Sequence, residues 1–280
     1  MIEKRQFYIN GEWVDPKDGR DHHVINPTTE EPCAMISLGG QADTDAAVAA
    51  AKAAFPGWMA TPVEERIALV KKLADVYKAR AEEMAQAISL EMGAPIDMAR
   101  TQQWGAGYGH IRNFLKAAEG FEFIKPLGDH APNDRIIHEA VGVCALITPW
   151  NWPMNQITLK VIPALATGCT MILKPSEQSP LSGLLFSEIM HEAGVPAGVY
   201  NMVNGDGPGV GSQLSSHPDV DMVSFTGSTR AGKAITIAGA ETIKRVTLEL
   251  GGKGANIVFA DADDRAVANG IKRCFNNTGQ

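Results

Sequence analysis

Long hydrophobic runs are missing from this sequence. No apolar stretch approaches the roughly 18 residues that a bilayer-spanning helix needs, and the opening Met1-Ile2-Glu3-Lys4-Arg5-Gln6 is too polar for a secretory leader. A cytoplasmic location without a membrane partner is expected. Cysteine is scarce: Cys33, Cys144, Cys169 and Cys274 lie far apart in sequence with no Cys-x-x-Cys or Cys/His pairing. That spacing argues against a disulfide framework or a zinc site and for four reduced thiols, so no metal is expected. A basic excess is lacking too. The formal net charge of -7 argues against a general attraction to nucleic acid. Internal repeats and low-complexity tracts are absent. What is present, 280 residues with 45% apolar and 20% charged side chains, is ordinary globular composition, enough for one large or two modest domains.

The chain opens with strand signals and turns helical. Asn10-Gly11 between Phe7-Tyr8-Ile9 and Glu12-Trp13 predicts a small edge hairpin. The alanine-rich segment from Asp43 to Phe55 has high helix propensity. Thr61-Pro62-Val63-Glu64 combines an N-cap, a first-turn proline and a capping-box glutamate. From there Ile67, Val70, Leu73, Ala74, Tyr77, Ala81, Met84 and Ile88 form one apolar stripe at helical spacing, ended or kinked by Gly93-Ala94-Pro95. A second helix is expected from Ile96 to about Ala118. Residues 121–139 mix strand-like and turn-like residues, which suits either a projecting arm or a surface loop.

From Val141 the period changes. Val141 to Ile147, Thr170 to Leu173, Val199 to Val203, Val220 to Phe225 and Arg245 to Leu250 are short apolar segments separated by helical or glycine-marked stretches. Such alternation predicts an α/β fold with parallel strands buried between helices. Ligands of these sheets bind beyond the strands' carboxyl ends. The residues there are Thr148-Pro149-Trp150-Asn151-Trp152-Pro153, Lys174-Pro175-Ser176-Glu177, Thr226-Gly227-Ser228-Thr229 and Gly251-Gly252. Together with Leu248-Glu249-Leu250-Gly251-Gly252-Lys253, this set resembles the NAD(P)-dependent aldehyde dehydrogenase family, over essentially the whole chain but only somewhat more than half of a usual member.

The resemblance implies a Rossmann-type cofactor-binding core at 140–251, preceded by its N-terminal part at 1–120, an oligomerisation arm at 121–139, and the start of a catalytic domain at 252–280. It implies a homo-oligomer, dimer or tetramer, of the full-length form. It places NAD, with NADP as the alternative, against Ile147, Thr148, Pro149, Trp150, Lys174, Ser176, Glu177, Gly207, Phe225, Thr226, Gly227, Ser228, Gly232, Leu250 and Gly251. Lys174 and Glu177 would hold the adenosine ribose, and a carboxylate there would repel the 2′-phosphate of NADP. By position alone Glu177 suits a helix cap equally well. Gly227-Ser228-Thr229 opening a helix would turn free backbone N–H groups toward a phosphate. Gly207, in Gly205-Asp206-Gly207-Pro208-Gly209, is placed toward the adenine end.

For the chemistry, the resemblance implies Asn151 as an oxyanion-hole donor, worth about 3 kcal/mol in the transition state, Glu249 as general base, and Lys160 in support of the proton path. Inside Val246-Thr247-Leu248-Glu249-Leu250 a carboxylate is expensive unless paired or protonated, which favours a functional reading of Glu249. Trp152, Asn155 and Gln156 would line the tunnel for an aldehyde. The family attacks that aldehyde with a cysteine thiolate and hydrolyses the resulting thioester. That cysteine is expected two positions beyond Gln280, so the chain as written is expected to be inactive, whereas Cys274 reads as a buried apolar residue. Two other readings stand beside this one. A shortened protein could bind a nucleotide without catalysis, and Gly227-x-x-x-x-Gly232-Lys233-Ala234 approaches a phosphate-binding P-loop but lacks its magnesium-binding hydroxyl.

Overall fold

The computed structural model describes residues 1–275. Asn277 to Gln280, after which the nucleophile is expected, lie outside them.

Strand β1 (Ile2–Lys4) runs parallel to β5 (Glu31–Leu38), and β5 pairs on its other side with antiparallel β4 (Arg20–Asn26), making a three-stranded sheet. Between them β2 (Phe7–Ile9) and β3 (Glu12–Val14) form the expected hairpin. Asn10 and Gly11 both take positive φ, 54° and 81°, as a two-residue turn demands. This hairpin joins the principal sheet.

Helices α1 (Gln41–Ala60), α2 (Val63–Ala79) and α3 (Ala81–Met92) follow. The apolar stripe is real, but it spans two helices. Arg80 breaks it with φ −99° and ψ 24°, and its guanidinium reaches Glu83 at 2.7 Å and Glu188 at 2.8 Å. The expected capping box at Thr61 does not form. Thr61 Oγ1 donates instead to the Gly57 carbonyl at 3.0 Å, closing α1, and α2 starts without a side-chain cap. Gly93 ends α3 in the left-handed conformation. Then α4 (Ile96–Met98), a π-helical stretch Ala99–Gln103 and α5 (Trp104–Ala118) run on as the predicted second helix. Within 121–139 a two-stranded ribbon appears, β6 (Ile124–Pro126) with β7 (Arg135–Ile137), which leaves Ile124 and Ile137 exposed.

The remainder alternates as predicted: β8 (Val143–Ile147), α6 (Pro153–Ala166), β9 (Thr170–Lys174), α7 (Leu181–Ala193), β10 (Tyr200–Met202), a π-helical turn Gly207–Gly211, α8 (Ser212–Ser216), β11 (Met222–Gly227), α9 (Thr229–Ala240), β12 (Arg245–Leu250) and α10 (Asp264–Cys274). The sheet order is β12-β11-β8-β9-β10-β2-β3, with the first five strands parallel and the hairpin antiparallel at the β10 edge. Because side chains alternate across a strand, the sheet buries a different cluster on each face. Cys144 and Leu146 pack with Met154, Ile157 and Val161 of α6, while Val143, Ala145 and Ile147 pack with Ala47 and Val48 of α1 and Ile235 of α9.

One cysteine expectation changes. Cys144 and Cys169, distant in sequence, are buried neighbours at the amino ends of β8 and β9, though all four cysteines remain free. Cys274 is exposed rather than buried.

One carboxylate in the helical layer anchors the core. Buried Glu91, at the end of α3, accepts the Leu181 N–H and, at 3.1 Å, the Ser182 N–H, two of the unpaired donors that open α7. Burial pushes its carboxyl up to about 7, against the opposing pull of those donors. A carboxyl raised on folding binds more protons folded than unfolded, so its contribution falls as pH rises from its ordinary value through 7. Denaturation midpoints of Glu91→Gln should show a flatter decline across that window than the parent, the difference being at most about 3 kcal/mol. Glu91→Ala should cost about 1–3 kcal/mol by leaving both donors unpaired.

Candidate functional site

The crossovers from β8 diverge: β9 and β10 lie on one side of it, β11 and β12 on the other. Between the carboxyl ends of β8 and β11 neither neighbouring connection can fill the gap, the position where open α/β sheets take ligands. A cavity of about 540 Å³ opens there. Ile147 and Phe225 form its floor, Gly207 and Gly211 one rim, and Ala231 and Ala234 of α9 the facing wall. The lining is mostly apolar and flat, suited to a heteroaromatic ring. Of the expected cofactor residues, Ile147, Gly207 and Phe225 line it. The α9 wall was missed, although small residues at helical spacing, Ala231, Ala234 and Ala238, are its signal.

Beside the cavity, on the α6 face of the sheet, three polar side chains form a row. Thr226 pairs in register with Glu249, and Thr148 follows Ile147, the partner of Phe225. Thr148 Oγ1 and Thr226 Oγ1 are buried without a hydrogen-bond partner. Unpaired buried hydroxyls are uncommon, and each calls for an explanation. Lys160 of α6 enters the same face. Its Nζ donates to Ser224 Oγ at 3.0 Å, and burial pulls its pKa down to about 8 while the Glu249 charge acts in the opposite sense. Lys160 is therefore no surface residue, and it couples electrostatically to Glu249.

The expectation of a buried Glu249 needs correction. β12 is the outermost strand and Glu249 is exposed, so no burial cost argues for its role here. Leu250, Gly251 and Gly252 are exposed too. Asn151 is half-buried in the loop from β8 to α6, next to Trp150, whose carbonyl accepts Ser179 Oγ at 3.2 Å. Pro149 lies in the same loop, and Trp152 is the last residue before α6. Asn155 and Gln156 stand in the first turn of α6, with Asn155 Oδ1 bonded to His110 Nε2 at 2.7 Å. His110, on a largely apolar helix, gave no signal in the sequence.

At the end of β9 the Lys174 ammonium is buried, donates to the Pro175 and Gly205 carbonyls and lies 3.5 Å from Glu177. Burial lowers its pKa while Glu177 and Asp206 favour its charged form. Ser176 turns its hydroxyl to the Gln178 N–H at 3.2 Å. Glu177 does not cap the next helix, because Glu91 holds those donors; the capping alternative for Glu177 is thereby removed. Around α9, Ser228 Oγ accepts the Ala231 N–H at 3.2 Å, so one donor expected to face a phosphate is already taken. Gly227 sits against the Phe225 ring, 2.5 Å from where a Cβ would stand, and Gly232 faces Leu248 and Leu250 rather than the cavity. The P-loop reading fails on geometry. α9 begins at Thr229, which puts Gly232 and Lys233 inside the helix instead of in the loop that must wrap a phosphate.

Residues 13–280 match the model of the Aldehyde dehydrogenase family. The chain belongs to that family. A 3-succinoylsemialdehyde-pyridine dehydrogenase of Pseudomonas sp is 50% identical over 282 residues, covering 100% of this chain and 58% of the relative. Among solved structures, an aldehyde dehydrogenase from Bartonella henselae superposes with a TM-score of 0.98 at 57% identity, covering 100% of this chain and 59% of its own. A mutant aldehyde dehydrogenase C from Pseudomonas syringae, in complex with NAD+ and octanal, superposes with a TM-score of 0.95 at 50% identity, covering 99% of this chain and 56% of its own. The chain thus spans somewhat over half the length of the aldehyde dehydrogenases it matches. No helix among the described residues is long and apolar enough to cross a membrane.

If the cavity holds a nucleotide ring, filling it should block binding without unfolding the protein. Ala234→Phe, on the exposed side of α9, is expected to weaken NAD binding at least about tenfold, or about 1.4 kcal/mol, in titration calorimetry, with an unchanged thermal midpoint.

Proposed function

We propose that this chain forms the cofactor-binding part of an aldehyde dehydrogenase that oxidises an aldehyde to a carboxylic acid with NAD. The reading is carried by the row of Thr148, Thr226 and Glu249 beside an apolar cavity at the sheet's switch point, with two hydroxyls awaiting a partner. These residues fit a dinucleotide. Ile147, Phe225 and Ala234 would take its adenine ring, Lys174 and Glu177 the adenosine ribose, and Thr148 and Thr226 its polar groups toward Glu249. Bound there, NAD supplies a hydride acceptor.

The protein's own groups then divide the work. The Asn151 amide donates to the oxygen on which negative charge develops, an interaction that strengthens only toward the transition state. Glu249, at the end of β12, accepts a proton from a thiol or a water. Lys160 stands on the same face, its pKa lowered by burial and coupled to the Glu249 charge, and supports the proton path there. Trp152, Asn155 and Gln156 form the substrate wall at the start of α6, where the bond from His110 orients the Asn155 amide. The β6–β7 ribbon, with Ile124 and Ile137 exposed, serves as the arm through which copies of the full-length protein associate.

The test is NADH formation from a panel of aldehydes by the complete gene product. Glu249→Gln should lower turnover by about two to four orders of magnitude while NAD affinity stays within a few-fold. Lost NAD binding would instead assign Glu249 a structural role. Glu177→Ala should narrow the preference for NAD over NADP; equal ratios before and after would remove Glu177 from the ribose site.

A further inference from the structure

Among the described residues that line the cavity between β8 and β11, Arg230 alone carries a charge. It stands in the first turn of α9 and shares the lining with Ala234 and Ala238. These three positions are four residues apart and form one stripe along the helix. The stripe is cationic where α9 leaves β11, at the carboxyl ends of the parallel strands, and apolar beyond it. The Arg230 side chain is exposed, and no hydrogen bond or ion pair among the described residues engages its guanidinium. Lys233, almost one turn further on, is exposed as well but does not line the cavity.

A nucleotide carries its phosphates on the sugar, beyond the ring. A ring seated against Ile147 and Ala234 therefore leaves its phosphates to find partners outside the apolar lining, and the cavity meets them with charge only at its Arg230 end. The backbone of α9 offers less there than the opening of a helix can, because Ser228 Oγ already accepts the Ala231 N–H. A planar guanidinium with uncommitted N–H donors matches the oxygens of a phosphate in both charge and shape. We propose that Arg230 is a nucleotide-binding residue, whose guanidinium pairs with a phosphate of the dinucleotide held in the cavity. This inference rests on the nucleotide site proposed above and adds to it a cation on the α9 side.

The experiment measures dissociation constants of adenosine, ADP, NAD and NADP for the complete gene product and its Arg230→Gln, Arg230→Lys and Lys233→Gln variants, at low and at high salt. Arg230→Gln should leave adenosine unchanged and weaken ADP and NAD about fivefold at low salt. That loss should shrink at high salt, where the charge is screened. Arg230→Lys should keep most of the affinity, and Lys233→Gln, which removes the same charge from the same helix outside the cavity, should leave all four ligands alone. A loss confined to NADP would also support the pairing and assign it to the 2′-phosphate in place of the pyrophosphate. An equal, salt-independent weakening of adenosine and NAD would make Arg230 a wall of the cavity only and overturn the inference. So would unchanged constants for every ligand that carries a phosphate. If the parent bound none of the four, the nucleotide site itself would be refuted, a result distinct from both.

Discussion

Alternation of side chains along β8, β11 and β12 is the constraint on which the rest of this molecule depends. With the strands in parallel register, one face receives Val143, Ala145 and Ile147 with Val223 and Phe225, and the other receives Thr148, Thr226 and Glu249. A slip of one residue in β11 would exchange the two sets. The apolar floor of the cavity would become hydroxyl-lined, and the polar row would be buried against α9. Packing and chemistry are therefore set by the same register, and the hydrophobic clusters that stabilise the sheet also hold the site in place.

The sequence made much of this legible. Short apolar runs separated by helical stretches define the five parallel strands to within two residues, because buried strands must be apolar on both faces. Asn10-Gly11 marked its hairpin because few other pairs accept two positive φ angles. What stayed hidden depends on contacts between distant residues. The break at Arg80 follows from carboxylates that include Glu188, more than a hundred residues away, and the helix start at Leu181 is capped by Glu91, ninety residues earlier. Thr61 had the right neighbours for a cap but turned to the preceding helix. Local propensity cannot weigh such competitors.

Within the site, residue type was more informative than environment. The motif positions gather at the strand ends, yet the reason offered for Glu249, burial in an apolar strand, does not hold, since β12 lies at the edge of the sheet. Conversely Lys160, unremarkable by sequence, is drawn beneath the sheet to Ser224. An ion pair also ties the N-terminal sheet to the rim of the cavity: Arg20 lies in β4, and Asp206 precedes the turn Gly207–Gly211. A surface ion pair contributes little to stability by itself. Its value here lies in where it holds a loop.

The N-terminal hairpin closes the far edge of the sheet, with the Asn10 N–H donating to Asn201 Oδ1 at 2.9 Å across 191 residues of sequence. During synthesis the hairpin, among the first strands made, must therefore wait for β10 to emerge before it finds its partner. Non-local pairing of this kind slows folding and leaves apolar strands such as Phe7–Ile9 uncovered in the meantime. Those early residues are where a chaperone would have most to protect.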